Sequence, residues 1–358
     1  MALASPTVAK WTLGSFSTSD AYRRLDKDGK LLDYVNYLAE NNQFKDHIPW
    51  VECNDYNGHK ISMITDLPKT YWKRDNLGVP ASHSDGAVVR ETIGKIAART
   101  FVYLDVLKNL DQASARADVL RMENQLKMDQ LNNDMVKAFF KASVKNDPAS
   151  FEGFEARYNS MDPKISPTAT QVIDCGGKGD NLTSMWIVGW GLNTAFGLYP
   201  QNRPMGIQIE ARGEVRVIDP YGNPIYGDET QYEWAFGLGI KDRRSVVRLA
   251  NIDPKMLESG QGIGAADLKA SKSNNILTLL HHGLAKLPNA SNMKVCIYAN
   301  RDVLVGLQTL AIRMNSTIVT ADNLKDQYGN THTGYTLVGH DFSVVDALTN
   351  DESEVKGA

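Results

Sequence analysis

Two glycine-rich segments and one pair of histidines are the places where this sequence could carry out chemistry. GQGIGAAD (260–267) fits the GxGxxA pattern, in which glycines let backbone amides approach a pyrophosphate. That use requires a strand just before the motif and an acidic residue placed further on by a βαβ unit. The residues before it, DPKMLES, have no strand pattern, so the segment reads as a loop. DCGGKGDN (174–181) sets Lys178 among glycines but lacks the GxxxxGK[ST] spacing of a phosphate loop, and it reads as a turn. His281 and His282 lie within a helical pattern. Adjacent side chains diverge by about 100° on a helix and cannot chelate one ion from one face, so one is expected to pack and the other to be solvated. No GxSxG, HExxH or EF-hand pattern occurs. Cys53, Cys175 and Cys296 are odd in number and far apart, which argues against a disulfide framework or a zinc knuckle and for folding in a reducing cytosol. The expectation is no catalysis, no cofactor and no metal. A cytosolic α/β enzyme using nucleotide through the GQGIGA loop stands as the alternative from a different class.

A further candidate is YEWAFGLGIK (232–241), followed at once by DRRSVVRLANID. Tyr232, Trp234, Phe236, Leu238 and Ile240 alternate without a miss, which places them on one face of a strand. Gly237 and Gly239 then lie on the other face, where they permit another element to approach closely. A straight strand does not turn consecutive amides around an anion, so this is a packing element and not a phosphate cradle. A turn at 242–245 and a second strand, VVRLANI, complete an expected hairpin with Arg243, Arg244 and Arg248 at one end. Guanidinium forks suit carboxylates across an interface.

These residues must be positioned by a chain of 358 residues with a formal net charge of −3. That length suggests about two packing units or one large elaborate domain. No apolar run approaches the roughly 20 residues that cross a bilayer, so no membrane partner is expected. The first thirty residues are polar and read as an arm, followed by a short helix at about 31–41. Residues 50–105 read as a long β-hairpin whose centre, KTYWKRDNLGVPASHSDG, has almost no aliphatic content. A loop of about twenty polar residues in a compact domain usually has its partner elsewhere. Residues 112–143 contain neither Gly nor Pro after Asp111, a natural N-cap. Leu120, Met128, Leu131, Met135 and Phe139 give that helix one narrow stripe, so it is expected to lie along a surface as a strut and not within the core. Beyond 170 the chain alternates strands (185–191, 293–300) with helices (274–287, 301–314) and closes with strands over 335–348.

This order of parts resembles the major capsid proteins of tailed bacteriophages, with their HK97-type α+β shell fold. HIPWVECNDYNGHKISMITDLPKTYWKRDNLGV (47–79), FEGFEARYNS (151–160), VIDCGGKGDNLTSMWIVGWGLNTAFGLYP (172–200), QYEWAFGLGIKDRRSVVRLANID (231–253) and HDFSVVDALTN (340–350) are similar to the coat proteins of epsilon-type short-tailed phages. The resemblance implies an N-arm over 1–49 and an E-loop with flanking strands over 50–105. It implies a peripheral domain over 106–170 with a spine helix at 111–143, a mainly axial domain over 171–330, and closing peripheral strands and tail over 331–358.

It also implies a structural protein that assembles as hexamers and pentamers into an icosahedral head around double-stranded DNA, held non-specifically on the inner face. Its partners would be other copies of itself, a separate scaffolding protein, a portal protein at one vertex and a decoration or cement protein. It would be assembled in the bacterial host cytoplasm and reside in the virion. An encapsulin-like shell is the alternative within the fold. Trp72, Lys73 and Arg74 of the loop, and Arg243, Arg244 and Arg248, are the candidate inter-subunit contacts. Some members of the fold cross-link through an E-loop lysine, and Lys69 and Lys73 lie in that region.

Overall fold

The computed structural model describes residues 44–56, 58–73, 75–109, 113–218, 222–259, 276–288, 293–313, 319–325 and 331–356. The arm, the short helix expected at 31–41 and the GQGIGAAD segment lie outside them. The chain divides into two compact units. The larger holds 41–95, 133–205 and 235–358; the smaller includes 96–132 and 206–234.

The larger unit is organised around β5 (Thr183–Trp190), in which every residue is buried. A strand covered on both faces reads as a continuous apolar run, which is what TSMWIVGW is. On one side β5 pairs antiparallel with β10 (Lys294–Ala299), and on the other with β9 (Val246–Ile252). β9 pairs parallel with β4 (Val172–Asp174). Beyond β10 the sheet continues through β13 (His340–Val344), β12 (Thr331–Leu337) and β11 (Val319–Lys325). β6 (Ala195–Tyr199) pairs with β1 (Trp50–Glu52) and with the end of β8 (Pro224–Ile240).

The two faces of this sheet are built differently. Met185, Ile187, Val247, Leu249, Ile297 and Ala299 point to an aliphatic layer made by α2 (Ile276–Ala285) and α3 (Arg301–Arg313). Trp186, Trp190, Arg248 and Tyr298 alternate with them and face an aromatic layer containing Phe44, Phe139, Phe140, Phe154 and Tyr158. Edge-to-face pairs such as Phe44–Tyr298, with centroids 5.0 Å apart, add to area burial by aligning ring edges with ring faces.

Phe139 and Phe140 belong to α1 (Ala113–Lys141), the long helix. The sequence places this helix on the surface, and the structure corrects that reading. Leu131, Met135, Val136, Phe139 and Phe140 are all buried, so its last turns form part of the aromatic layer. Leu120 and Met128, nearer its start, are only half-buried. The stripe is narrow at the start of the helix and wide where adjacent phenylalanines cover two directions at once. Gly153 seals the C-terminal end: its N–H bonds Ala142 O at 2.9 Å, and an added Cβ would lie 2.8 Å from Phe139 O.

In the smaller unit, β7 (Gln208–Ile218) pairs antiparallel with the first part of β8. Gly227 of β8 is needed there for close approach, because an added Cβ would sit 2.7 Å from Val102 O and 2.4 Å from the Phe101 ring. The buried carboxylate of Glu229 lies between Arg99 at 3.7 Å and Arg212 at 3.8 Å.

Candidate inter-subunit contact site

β2 (Gly58–Asp66) pairs antiparallel with β3 (Asp85–Tyr103) from Gly58↔Thr92 to Asp66↔Asp85. The base of this hairpin is tied down by polar groups. Asn54 Nδ2 donates to Lys60 O at 2.9 Å, and Lys60 N donates to Asn54 Oδ1 at 2.7 Å. Buried Glu91 accepts two bonds from Arg157, at 2.8 and 2.6 Å, while Arg157 also donates to Glu152 O and Leu238 O. A bidentate guanidinium–carboxylate pair fixes direction as well as distance. Arg157 and Glu91 line a cavity of about 230 Å3 together with Met63, Val89 and Arg243.

Past that base, the described residues from 64 to 88 are all exposed. Trp72 is 101% exposed, and Ile64, Leu67, Leu77 and Val88 each exceed half exposure. Lys73 is exposed beside Trp72; Arg74 lies outside the described residues. The loop bonds to itself through Ser82 Oγ, which donates to Lys69 O at 2.8 Å.

The three arginines of the second cluster part company. The hairpin expected from 232–252 does not form: β8 pairs with β3, β6 and β7, and β9 pairs with β4 and β5. Asp242 caps the 3₁₀ turn between them by accepting from Arg244 N, and its carboxylate takes Arg244 Nε at 3.0 Å and Nη2 at 2.9 Å. Asp242 is partly buried, which by itself raises its pKa, but those bonds and the Arg244 charge hold it below the ordinary aspartate value. Arg244 is exposed, and Arg243 is half-buried in the cavity wall.

Arg248 is 1% exposed and spends its donors inside the subunit. They go to Ser184 Oγ at 3.0 Å, Tyr158 O at 2.8 Å and Glu352 Oε2 at 2.9 Å, with the guanidinium 5.0 Å from the Trp186 ring centroid. Glu352 reaches this position because the tail pairs back onto Leu182. Arg248 is therefore a buried tether for the C-terminal segment and has no surface to offer a neighbour. Nothing in the sequence marks Glu352 as its partner, since it sits among other acidic residues of a polar tail.

The chemistry-bearing motifs resolve into structure. Asp174 Oδ1 in DCGGKGDN accepts from Gly176 N–H at 2.9 Å and from Asn251 Nδ2 at 2.8 Å, and Gly176 and Gly179 have φ of 84° and 108°. This is a turn pinned to β9. His281 and His282 are both exposed, where one was expected to pack; α2 turns Ile276, Leu277, Leu280 and Gly283 inward instead. His47, Cys296 and Asp341 bring one potential ligand atom each within 4.8 Å. Each has other work: His47 Nδ1 lies 2.9 Å from Tyr298 OH, Asp341 is paired with Lys294 at 2.7 Å, and burial pushes the Cys296 thiol up to about 12. A thiol that burial keeps protonated and a carboxylate already paired with a lysine are poor metal ligands.

The family described as Major capsid protein GP7 matches residues 26–356. The chain belongs to that family. Among solved structures it is similar to bacteriophage Epsilon15, at 24% identity and a TM-score of 0.72, covering 97% of this chain and 99% of the other. That similarity shows the fold, an HK97-like α+β capsid fold. The capsid of bacteriophage JBD30 (8% identity, TM-score 0.47, 97% and 99% covered) and the SrpI encapsulin of Synechococcus elongatus (10%, 0.43, 65% and 95%) are more distant and add no weight. No curated protein sequence matches the chain. As a member of the major capsid protein family, the chain is a shell-forming structural protein of the phage virion and not an enzyme.

Proposed function

We propose that this capsid protein builds its shell as hexamers and pentamers around double-stranded DNA, with the 67–84 loop as the arm that reaches a neighbouring copy. The observation that carries this reading is Trp72. A tryptophan left wholly in water, on a loop whose base is fixed by Asn54, Glu91 and Arg157, gains on the order of 2–3 kcal/mol by docking on another surface. Lys73 and Arg74 would flank that contact, and Arg243 and Arg244 would meet carboxylates of a neighbour. Arg248 is left out of this set because it is buried. A chain near electrical neutrality suits a wall that encloses DNA without holding it tightly.

The finer assignments follow the same reading. Residues 1–49 act as the N-arm, 50–105 as the E-loop region and 106–170 as the peripheral domain with its spine. Residues 171–330 form mainly the axial domain that crowds around the ring axes, and 331–358 close the peripheral part. A separate scaffolding protein directs assembly in the host cytoplasm, a portal occupies one vertex, and a decoration protein covers the outside.

Replacing 67–84 by Asn-Gly joins Asp66 to Asp85 through a two-residue turn suited to a β-hairpin. The variant subunit is expected to fold and to fail in shell assembly by electron microscopy. Shells of ordinary yield and stability from this variant would remove the loop assignment.

A further inference from the structure

The β7 strand is a surface that the loop does not account for. Among the described residues it pairs only with β8, so alternate N–H and C=O groups along its other side face outward. Gln208–Arg212 are all exposed, and from Gly213 onward Glu214, Arg216 and Ile218 alternate as the exposed positions. A bulge divides the strand. Ala211 faces Thr230 and Gly213 faces Glu229, which leaves Arg212 as the extra residue, with Gly213 at φ 69°. Arg212 shares the face of Glu229, 3.8 Å away, whereas Glu214 lies opposite Asp228 and so on the other face.

We propose that Gly213–Val217 pairs antiparallel with the same segment of a second copy, about a two-fold axis through Val215. The partner follows from charge and register. Facing residues of one antiparallel sheet share a face, so beyond the bulge two copies must oppose residues of equal parity. A centre at Glu214 sets that carboxylate against itself, and a centre at Arg216 does the same for the guanidinium. A centre at Gly213 would need Arg212 opposite Glu214, which the bulge has turned to the other face. A centre at Val217 leaves Glu214 with no strand residue opposite. The Val215 centre sets Glu214 against Arg216 twice, on the exposed face, with Gly213 against Val217 on the other. Opposite charges directly across a ladder are favourable and like charges unfavourable. Among the described residues neither Glu214 nor Arg216 is in a salt bridge.

A contact between identical patches is isologous and requires a two-fold axis, which rings joined side by side into a closed shell supply. The inference rests on the shell reading to that extent. A ladder of about five residues is too small to hold two free subunits, so it acts where many are linked at once.

Charge exchange tests it in the full-length protein. E214R opposes two arginines and R216E opposes two glutamates; each is expected to lower shell yield by at least tenfold with the subunit still folded. The double variant E214R/R216E restores both pairs in reversed order and is expected to recover the parental yield. V215C places two thiols across the axis, and oxidation of assembled shells is expected to give a covalent dimer on denaturing gels. Single variants that assemble as the parent does, as they would if these charges only kept strand edges apart, overturn the proposal. So does a double variant that fails to recover, or V215C shells that form but yield no dimer. A parental protein that forms no shells at all would instead remove the shell reading itself.

Discussion

Trp72 and Trp186 show two different uses of one residue type. Trp186 lies at the centre of β5, 1% exposed, with Phe140, Phe154, Tyr158 and the Arg248 guanidinium around it. Trp72 lies on the hairpin loop with no part covered. The first kind of residue pays its desolvation back within one chain; the second has nothing to cover it until another surface arrives. The sheet centre sets whether the subunit exists, and the loop is proposed to set whether subunits associate. The two regions should thus respond to substitution in separable ways.

The largest effect is expected in the core. Phe139→Ala or Trp186→Ala should each cost about 3–5 kcal/mol, read from urea unfolding of the isolated subunit. Glu352→Ala should cost a comparable ~3–5 kcal/mol, because it strands a buried guanidinium that, among the described residues, has only Glu155, 3.9 Å away, as a second acidic neighbour. A smaller loss would show that the tail opens and lets water reach Arg248. Trp72→Ala should leave subunit unfolding within about 0.5 kcal/mol of the parent while lowering shell yield. A clear loss of subunit stability would erase the contrast between the two tryptophans.

Acid should act at the boundary between the regions, through His59 at the hairpin base. Its Nδ1 accepts from Asn54 N–H at 3.3 Å. Burial, and then the Lys241 charge, lower its pKa below 6.5, against smaller opposing effects from the Glu52 backbone and Glu91. The unfolded chain therefore takes up the proton more readily, and stability is lost as pH falls through and below that value. His59→Gln should show a smaller drop in urea midpoint between pH 7.5 and pH 5.5 than the parent does. The smallest effect concerns the thiols. Burial pushes Cys53 up to about 11, Cys296 up to about 12 and Cys175 up as well, so a thiol reagent at neutral pH should label the native subunit negligibly and the unfolded chain at all three positions.

Local pattern made much of this fold legible. The strict alternation of 232–240 identifies five buried side chains of one strand face, and the apolar run MWIVGWG (185–191) identifies most of a strand, Thr183–Trp190, that is covered on both sides. The helix without Gly or Pro is seen as Ala113–Lys141. Pairing was less legible: two strands separated by a short turn are the ordinary signature of a hairpin, yet β8 and β9 turn to different neighbours. Arg248 was misplaced for the same reason, since its sequence neighbours Arg243 and Arg244 suggested a shared surface.

What the sequence by itself determined is the set of elements, the absence of familiar catalytic spacings and the polarity of the loop over 69–86, because each depends on residues a few positions apart. What only the tertiary structure decided is which of these residues lose contact with water. Arg157 finds Glu91 across 66 positions and Arg248 finds Glu352 across 104, and each pairing holds because burial makes an unpartnered charge too costly to leave. Sequence spacing carries no record of those distances. Trp72 is recognisable as exposed only once the rest of the chain has folded without covering it.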